Sequence, residues 1–395
     1  MMPPTKTGDY DVIVVGGGPA GATAARNLAS LGRSVLLLER GGRIKPCGGA
    51  IPPRLISDFD IPEHLLVARA KSARIVSPTD RIADMPIEGG FVGMVDREHF
   101  DEWLRVRAEA AGAVRLCGRF ERIGRDGDGT ALVEGVADDA PFSLRARCVI
   151  GADGAKSNVA KQTVPGADKM RYVFAYHEIV RSPQHAAFDG ARCDVYYRGS
   201  LSPDFYGWVF PHGDTTSVGL GSAQKGFSLR RATDALRASA GLTGAQTIRR
   251  EGAPIPLKPL KRWDNGRDVV LAGDAAGVVA PASGEGLYYA MTGGALAADA
   301  AEAFCATNNV RALRQARRRF MRAHGQVFFV LRFMQGFWYQ SDWRRERFVS
   351  ICRDADVQKL TWTAYMTKEL VRAKPIVHAR IFCKNVAYLT GLIAT

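Results

Sequence analysis

A short apolar segment that runs directly into a glycine-rich turn limits the fold of this sequence more than any other feature. Asp11-Val-Ile-Val-Val15 has the apolar, β-branched composition of a buried parallel strand. Gly16-Gly-Gly-Pro-Ala-Gly21 follows at once, residues 22–31 have the pattern of a helix, and Ser34-Val-Leu-Leu-Leu38 is a second strand. Strand, helix and strand in this order predict a βαβ unit with a parallel sheet.

The G-x-G-x-x-G pattern in that turn predicts a dinucleotide site. Gly16 permits the tight turn, Gly18 lets a pyrophosphate approach the backbone at the helix N-terminus, and Gly21 lets helix and strand pack closely. Glu39 stands 18 residues after Gly21, where a carboxylate accepts hydrogen bonds from an adenosine ribose. The pattern alone does not distinguish FAD from NAD. We assign to this site Gly16, Gly18, Pro19, Ala20, Gly21, Glu39 and Arg40.

Length and cysteine usage bound the class of protein. A chain of 395 residues exceeds what one hydrophobic core usually organises, which predicts two structural units. Its seven cysteines are scattered, without a C-x-x-C pair, so we expect a reducing compartment, no disulfide framework and no metal site. Residues 1–11 lack the charged and apolar regions of a secretory signal. We therefore expect a cytoplasmic protein.

Positive charge is concentrated towards the C-terminus. The formal net charge is +14, and residues 311–395 hold 17 Lys and Arg against 5 Asp and Glu, together with 13 aromatic residues. The apolar runs there are shorter than the roughly 18 residues needed to cross a bilayer. The pattern fits a peripheral contact with anionic lipid and equally a solvated basic helical face. We expect no nucleic-acid partner, because no recognised motif organises the basic residues.

The middle of the chain has a different pattern. Between about residues 167 and 260, short alternating segments rich in aromatic residues predict an antiparallel sheet. Three of them are Cys193-Asp-Val-Tyr-Tyr197, Tyr206-Gly-Trp-Val-Phe210 and Thr216-Ser-Val-Gly-Leu220. A buried strand follows at Val269–Leu271, and a long helical region begins near Leu287. One domain is thus predicted to interrupt another.

Three further segments resemble signatures of flavoproteins related to p-hydroxybenzoate hydroxylase. They are Arg97-Glu-His-Phe-Asp-Glu-Trp-Leu104, Gly151-Ala-Asp-Gly-Ala155 and Val269-Val-Leu-Ala-Gly-Asp-Ala-Ala276. The resemblance implies that the dinucleotide is FAD, that Arg97 contacts it and that Asp274 bonds its ribityl and pyrophosphate part. It adds Arg97, Asp153, Gly273 and Asp274 to the cofactor-binding residues.

A closer similarity, to geranylgeranyl reductases, spans nearly the whole chain. It is carried by Lys45-Pro-Cys-Gly-Gly-Ala-Ile-Pro52, Gly93-Met-Val95, Phe205-Tyr-Gly-Trp-Val-Phe-Pro-His-Gly-Asp214 and Pro281-Ala-Ser-Gly-Glu-Gly-Leu287. The stretches 43–52 and 85–95 most resemble the branch that acts on chlorophyll and bacteriochlorophyll esters. For that branch the implied reaction saturates three of the four double bonds of a geranylgeranyl chain to give phytyl. The substrate is then a geranylgeranylated (bacterio)chlorophyll(ide) or geranylgeranyl diphosphate.

The electron donor implied by this resemblance is NADPH. The sequence has no second G-x-G-x-x-G, so NADPH binds without a domain of its own or is replaced by a protein donor such as ferredoxin. We expect the protein to lie peripherally on the cytoplasmic face of a photosynthetic membrane.

An isolated alkene accepts hydride poorly, so its reduction by flavin requires a dry, apolar site and a proton delivered to the other carbon. Tyr206, Trp208 and Phe210 alternate along the sequence and would line one face of a strand, although an ordinary sheet core has the same pattern. By resemblance, Pro211 joins these three as a substrate-binding residue. His177 and His212 are interpreted as structural.

Two loops are expected beside the flavin. Cys47 is a candidate proton donor or redox-sensitive thiol, or simply a small buried side chain. The segment around Glu285 resembles the family loop whose backbone N–H groups stabilise negative charge on reduced flavin, although Glu285 also suits a helix cap. We assign catalytic roles to Cys47, Gly284, Glu285 and Gly286, and cofactor contacts to Cys47, Gly48, Gly49, Ala50, Gly284, Gly286 and Leu287.

The predicted fold is α/β, with a Rossmann-type FAD-binding domain interwoven with an antiparallel β-sheet substrate domain and a C-terminal helical region. The expected boundaries are 8–65, 94–166 and 267–320 for the FAD-binding domain, 66–93 and 167–266 for the substrate domain, and 321–395 for the helices. Alternative functions are a reductase of lipid or quinone geranylgeranyl groups, an FAD-dependent aromatic hydroxylase and a flavin-bearing scaffold without catalysis.

Overall fold

The computed structural model describes residues 9–42 and 44–371. In chain order the strands in this part are β1 (Asp9–Val15), β2 (Val35–Glu39), β3 (Ala50–Ile51), β4 (Leu66–Ala70), β5 (Ser72–Val76), β6 (Ile82–Pro86), β7 (Val92–Val95), β8 (Val114–Cys117), β9 (Arg119–Arg125), β10 (Ala131–Ala137), β11 (Ala140–Gly151), β12 (Tyr172–Arg181), β13 (Arg192–Tyr196), β14 (Gly207–His212), β15 (Thr215–Ser222), β16 (Thr247–Pro256) and β17 (Val269–Leu271). The α-helices are α1 (Pro19–Ser30), α2 (Pro53–Asp58), α3 (Arg97–Ala110), α4 (Asn158–Thr163), α5 (Leu229–Ser239), α6 (Leu287–Thr307), α7 (Arg314–Trp338), α8 (Asp342–Ile351) and α9 (Ala355–Thr367).

The first sheet carries the predicted βαβ unit. Its strand order is β8-β2-β1-β11-β10-β9, and β17 also pairs with β11. Strands β8, β2, β1, β11 and β17 run parallel, whereas β9 and β10 form an antiparallel extension. Residues 35–39 are all buried, as expected for a central parallel strand covered on both faces. Helix α1 packs against α3 and α6 beside this sheet.

The second sheet contains the aromatic segments. Its order is β16-β12-β15-β14-β13-β5-β6, and every pairing is antiparallel except that of β5 with β13. Helix α5 contributes to the apolar cluster on one face. The other face packs against residues of α7 and α8. These two sheets and their helices confirm the predicted α/β fold class.

A third, small sheet divides the stretch 66–93 that the sequence assigned to the substrate domain. Strands β5 and β6 join the second sheet, whereas β4 and β7 pair with β3 in the order β3-β7-β4. The stretch is divided because β7 leads directly into α3 and pairs antiparallel with β3. This pairing brings the Cys47 segment, just before β3, alongside α3.

The helices α7, α8 and α9 follow α6 at the end of the described chain. The buried guanidinium of Arg345 in α8 donates a hydrogen bond to the carbonyl of Ser202, 3.2 Å away, which fixes α8 to the loop before β14. Among the described residues, no helix combines the length and apolar character that spanning a bilayer requires. The end of the basic stretch 311–395, for which the sequence suggested a lipid contact, lies outside the described residues from position 372 onwards.

Candidate active site

The glycine-rich turn has the geometry of a phosphate cradle. Gly16 has a φ of +112°, and a Cβ at this position would lie 2.3 Å from the carbonyl oxygen of Ala152. A Cβ on Gly21 would lie 1.8 Å from the carbonyl oxygen of Gly16, so helix and strand meet without room for a side chain. A Cβ on Gly18 would have no described atom within 4 Å. The backbone at the start of α1 is therefore open to a ligand, and no described side chain caps it.

Glu39 lies at the carboxyl end of β2, beside this turn. Its carboxylate is 8% exposed and accepts a hydrogen bond of 2.8 Å from Arg115 Nη2. A Cβ on Gly17 would lie 2.6 Å from Glu39 Cβ, so the acid and the turn are in contact. Arg40 is exposed at the edge of the site.

The segment after β17 meets the start of α1. Gly273 has a φ of +60°, and a Cβ there would lie 2.7 Å from the Cβ of Ala20. Asp274, which follows it, is 9% exposed and accepts a hydrogen bond of 2.5 Å from Lys45 Nζ. The two signatures of the nucleotide site, far apart in sequence, are thus adjacent in space.

Asp153, a predicted cofactor-binding residue, lies at the N-terminus of α4. Its carboxylate accepts hydrogen bonds from the backbone N–H groups of Asn158 and Val159 and from the hydroxyl of Ser157. These bonds stabilise the start of α4, and the cofactor contact of Asp153 stays a prediction.

One cavity, with a volume of about 300 Å³, joins most of the remaining predicted residues. From the cofactor side it is lined by Pro19, Cys47, Gly48, Gly49, Ala50, Arg97, Asp274, Gly284, Glu285, Gly286 and Leu287. From the second sheet it is lined by Ala175, His177, Cys193, Val195, Tyr197, Tyr206, Trp208, Phe210 and the stretch 253–255. The cavity thus has a polar loop wall and an apolar sheet wall.

Cys47 lies in the loop wall, beside a buried ion pair. Its Sγ accepts a hydrogen bond from the backbone N–H of Gly49 at 3.4 Å. The neighbouring Arg97, at the start of α3, is buried and forms two hydrogen bonds of 2.7 Å with Asp101. Burial disfavours the charged form of Arg97, but Asp101 and Cys47 raise its pKa above the ordinary value. The guanidinium therefore stays charged beside the thiol.

His212 supports the same loop from behind. A Cβ on Gly49, whose φ is +71°, would lie 2.4 Å from His212 Nε2. Burial lowers the pKa of His212, so the ring is neutral and its Nδ1–H donates to the carbonyl of Phe210, 2.9 Å away. A side chain at position 49 would therefore collide with the His212 ring. This packing supports the structural interpretation of His212.

The aromatic residues form the apolar wall. The ring centroids of Tyr206 and Trp208 are 6.1 Å apart, and those of Trp208 and Phe210 are 6.4 Å apart. All three rings line the cavity. Pro211 does not, because successive side chains of β14 point to opposite faces, and Pro211 borders a separate, smaller pocket together with Val209.

The loop around Glu285 is held in an unusual conformation. Ala282 has a φ of +63° and Gly284 a φ of +64°. The carbonyl of Ala282 accepts a hydrogen bond from the Tyr339 hydroxyl at 3.0 Å, and that of Ser283 accepts one from Tyr206. Glu285 Oε1 accepts the backbone N–H of Tyr288 at 2.8 Å, so the residue does cap α6. Residues from three elements therefore fix this loop at the cavity.

Sequence reasoning missed one part of the wall. Trp362 and Tyr365 of α9 line the cavity, and Lys368, just beyond α9, pairs with Glu285. Trp362 and Tyr365 are three residues apart and so share one helix face, but this signal equally describes any buried helix.

Comparison with known proteins assigns this site to a family. A family model described as "FAD binding domain" matches residues 69–301, and one described as "FAD dependent oxidoreductase" matches residues 11–63. The chain is 58% identical over 386 residues to geranylgeranyl diphosphate reductase of Rhodobacter capsulatus, covering 97% of this chain and 98% of the relative. It belongs to the geranylgeranyl reductase family. The sequence-based assignment to this family, and to FAD-dependent oxidoreductases, is confirmed.

Two further proteins are similar to this reductase. Geranylgeranyl diphosphate reductase of Synechocystis is 35% identical over 402 residues, with 96% of this chain and 97% of the relative covered. The crystal structure of a geranylgeranyl bacteriochlorophyll reductase-like protein from Thermoplasma acidophilum superposes with a TM-score of 0.82 at 22% identity. That match covers 98% of this chain and all of the other, and it supports the fold.

The geometry of the reductase suits FAD. The open backbone at Gly18 and the free N-terminus of α1 accommodate a pyrophosphate, and Glu39 is placed for a ribose. Asp274 and Lys45 lie between that end and the cavity. A flavin ring in the cavity would be flanked by Cys47 on the loop side and by the Glu285 loop.

Proposed function

We propose that this reductase saturates three of the four double bonds of a geranylgeranyl chain and so produces a phytyl chain. The observation that carries the proposal is the shared cavity, in which the cofactor-side loops face an apolar wall of Tyr206, Trp208 and Phe210. An isolated alkene needs such a dry, shaped site next to the cofactor.

Bound FAD, once reduced by the electron donor, would supply the hydride that an alkene carbon accepts. The residues of the chain orient the substrate, exclude water and deliver the proton. Trp208 and Phe210 exclude water and give a long apolar chain a surface on which to lie. Their ring faces, with that of Tyr206, stabilise positive charge that develops on the more substituted carbon as a proton adds to its neighbour, and this carbon is the one that accepts the hydride. Cys47, beside Arg97, is our proposed source of the proton.

The proposed substrate enters with its prenyl chain only. The sheet wall of the cavity is apolar, so it suits a prenyl chain and would not solvate a charged or polar head group. The head group, whether a (bacterio)chlorophyll(ide) ring or a diphosphate, would then remain outside.

We propose NADPH as the electron donor, with a reduced ferredoxin as the alternative. A pyridine nucleotide would have to approach transiently, because the one G-x-G-x-x-G of the sequence is assigned to FAD.

We further propose a peripheral membrane contact through α7 and α8. Phe329 and Phe333 of α7 are each 65% exposed, and Trp343 of α8 is 50% exposed. Helix α7 contains six arginines and no acidic residue, and the Arg347 guanidinium lies 3.6 Å from the centre of the Trp343 ring. Exposed aromatics among arginines fit the interface of an anionic bilayer. A long prenyl substrate would be taken from such a surface.

Product analysis tests the proposed reaction. The purified holoenzyme is incubated without oxygen with NADPH and, separately, geranylgeranyl-bacteriochlorophyllide, geranylgeranyl diphosphate, or a geranylgeranylated lipid or quinone. We expect products heavier by two hydrogens per saturated bond, up to three bonds, with the first two substrates. Reduction of lipid or quinone alone supports the alternative reductase, and turnover that requires oxygen supports a hydroxylase. Bleaching of the flavin by NADPH with no saturated product in any sample supports a scaffold.

A further inference from the structure

A buried ion pair joins Glu285, in the wall of the cavity, to Lys368 behind it. The ammonium Nζ of Lys368 is 3.0 Å from Oε2 of Glu285, and the two side chains are 4% and 5% exposed. Removing two charges from water costs several kcal/mol for each ion, and a well-packed apolar pair is often at least as stable. Stability alone therefore does not explain why this pair lies at an apolar cavity.

The pair joins α9 to the cofactor-side loop. Lys368 follows the last residue of α9 and has a φ of +58°. No residue of α9 itself is fully buried. Its ammonium also lies 4.0 Å from the centre of the Tyr365 ring, which lines the cavity. Arg54 of α2 donates to the carbonyl of Thr367 at 3.4 Å and lies 3.6 Å from Glu369. Lys368 is thus the buried anchor at the end of α9.

Glu285 is fixed on the loop that faces the cavity. Its Oε1 accepts a hydrogen bond from the backbone N–H of Tyr288. Its backbone carbonyl accepts a second one, from the N–H of Ala280 at 2.9 Å. A carboxylate held there without a cation would oppose negative charge in the cavity. A flavin that takes up two electrons and one proton carries such a charge.

The other titratable groups around Lys368 do not replace Glu285 as a counter-ion. Tyr289 and Tyr365 face the ammonium, and burial raises the pKa of both phenols, which are therefore neutral. His324 is also near and neutral, because burial lowers its pKa to about 4. Arg54 is already paired at the surface, with Asp58 at 2.7 Å and with Glu369 at 3.6 Å.

We propose that Lys368 is a positioning residue of the reductase, which neutralises Glu285 and holds it on the 284–286 loop so that this loop accepts negative charge on the reduced cofactor. The proposal rests on the proposed position of the flavin ring beside that loop. Lys368 acts through Glu285 and need not touch substrate.

The test is the midpoint potential of bound FAD between about pH 5 and pH 9, the range over which an unpaired buried Glu or Lys changes charge. Lys368→Met leaves the Glu285 charge uncompensated, so we expect a more negative potential than in the wild type at the alkaline end. Glu285→Gln leaves the ammonium uncompensated, so we expect a more positive potential at the acidic end. The double variant should follow the wild type.

Two control variants separate charge from folding. Lys368→Arg keeps the charge and should keep the potential. Glu178→Gln breaks the buried pair with Arg237, whose atoms are 2.6 Å apart outside the cavity, and should lower stability without moving the potential. Shifts of the same sign in both single variants, or wild-type potentials throughout, would overturn the proposal. Because product analysis of the wild type is independent of these variants, the proposed function is tested separately.

Discussion

The hydroxyl of Tyr206 donates a hydrogen bond to the carbonyl oxygen of Ser283. This bond connects the aromatic wall of the second sheet to the loop that the resemblance places beside the flavin. Tyr206 is therefore more than apolar lining, and its hydroxyl helps to hold a loop in which Ala282 has a left-handed backbone conformation.

We expect Tyr206→Phe to keep the apolar wall and loosen that loop. Losing one buried hydrogen bond of about 1 to 1.5 kcal/mol should lower kcat by roughly tenfold with little change in FAD affinity. The rate at which substrate oxidises the pre-reduced enzyme in a single turnover measures the effect of the variant on the reaction. The matched control is Tyr176→Phe. It removes the hydrogen bond that the Tyr176 hydroxyl donates to Glu178, on the face of β12 that points away from the cavity. Equal rates for wild type and Tyr206→Phe would show that the bond has no role.

Cys47→Ala tests the proposed proton source. If the thiol delivers the proton, prenyl reduction should fall by at least about 100-fold, the usual contribution of a general acid. Cys117→Ala, at an exposed thiol, should behave as wild type. Product formation and flavin reduction by NADPH are followed together. If Cys47→Ala leaves both unchanged, Cys47 is only a small side chain packed in the loop.

Removing the Glu39 carboxylate should weaken FAD binding. The loss of a hydrogen bond from a ribose to a charged acceptor, about 1.5 to 3 kcal/mol, should raise the Kd for FAD by roughly ten- to a hundredfold. Glu39 also binds Arg115, so the control is Glu102→Ala, which removes another hydrogen-bonded carboxylate of Arg115. Fluorescence titration of the apoprotein measures both. A similar loss of affinity in the control would assign the effect to Arg115.

The double variant Phe329→Ser and Phe333→Ser should lose affinity for anionic vesicles. Each ring contributes at most about 1.5 to 3 kcal/mol on burial, so we expect at least a tenfold loss in co-sedimentation. Phe174→Ser replaces a phenylalanine that is 44% exposed on β12, away from α7, and should bind as the wild type does. Binding by the double variant equal to that of wild type would exclude this face as the membrane contact.

The reductase should lose stability in mild acid through His324. Burial among Tyr288, Tyr289 and Phe320 lowers the pKa of His324 from 6.5 to about 4. The unfolded chain therefore binds a proton that the folded protein does not, and stability falls as the pH drops from about 6.5 towards 4, by up to roughly 3 kcal/mol. His324→Phe should flatten this part of the curve of unfolding free energy against pH. An unchanged slope would assign the acid sensitivity to other groups.

The nucleotide end of the site could be predicted from sequence because its parts are close together along the chain. Residues 9–39 contain strand, turn, helix, strand and acid in one local arrangement, and the structure places them accordingly. The alternation of Tyr206, Trp208 and Phe210 similarly fixes which face they share.

Contacts between distant segments could not be predicted in this way. The sequence around Lys368 does not show that this residue contacts Glu285. The contact depends on how α7, α8 and α9 are arranged in space, which brings the end of α9 back to the cavity. Asp153 follows a strand as a cofactor ligand would, and the structure adds the N–H groups of Asn158 and Val159 as its partners. Pro211 belongs to a family motif, yet the two-residue repeat of a strand turns it away from the cavity.

Strand β5 pairs in parallel with β13, so Ser72 lies opposite Arg192, about 120 positions later in the chain. A ribosome that has released only the first third of the protein therefore leaves β5 without one of its neighbours. We expect slow folding with a long-lived unpaired edge, and hence a need for chaperones during overexpression. A cut at the middle of the chain would separate β13 from β14 and β12 from β15. Neither half of this molecule is therefore a sound unit for transplantation, and chimaeras with other flavoproteins should exchange whole chains or single loops.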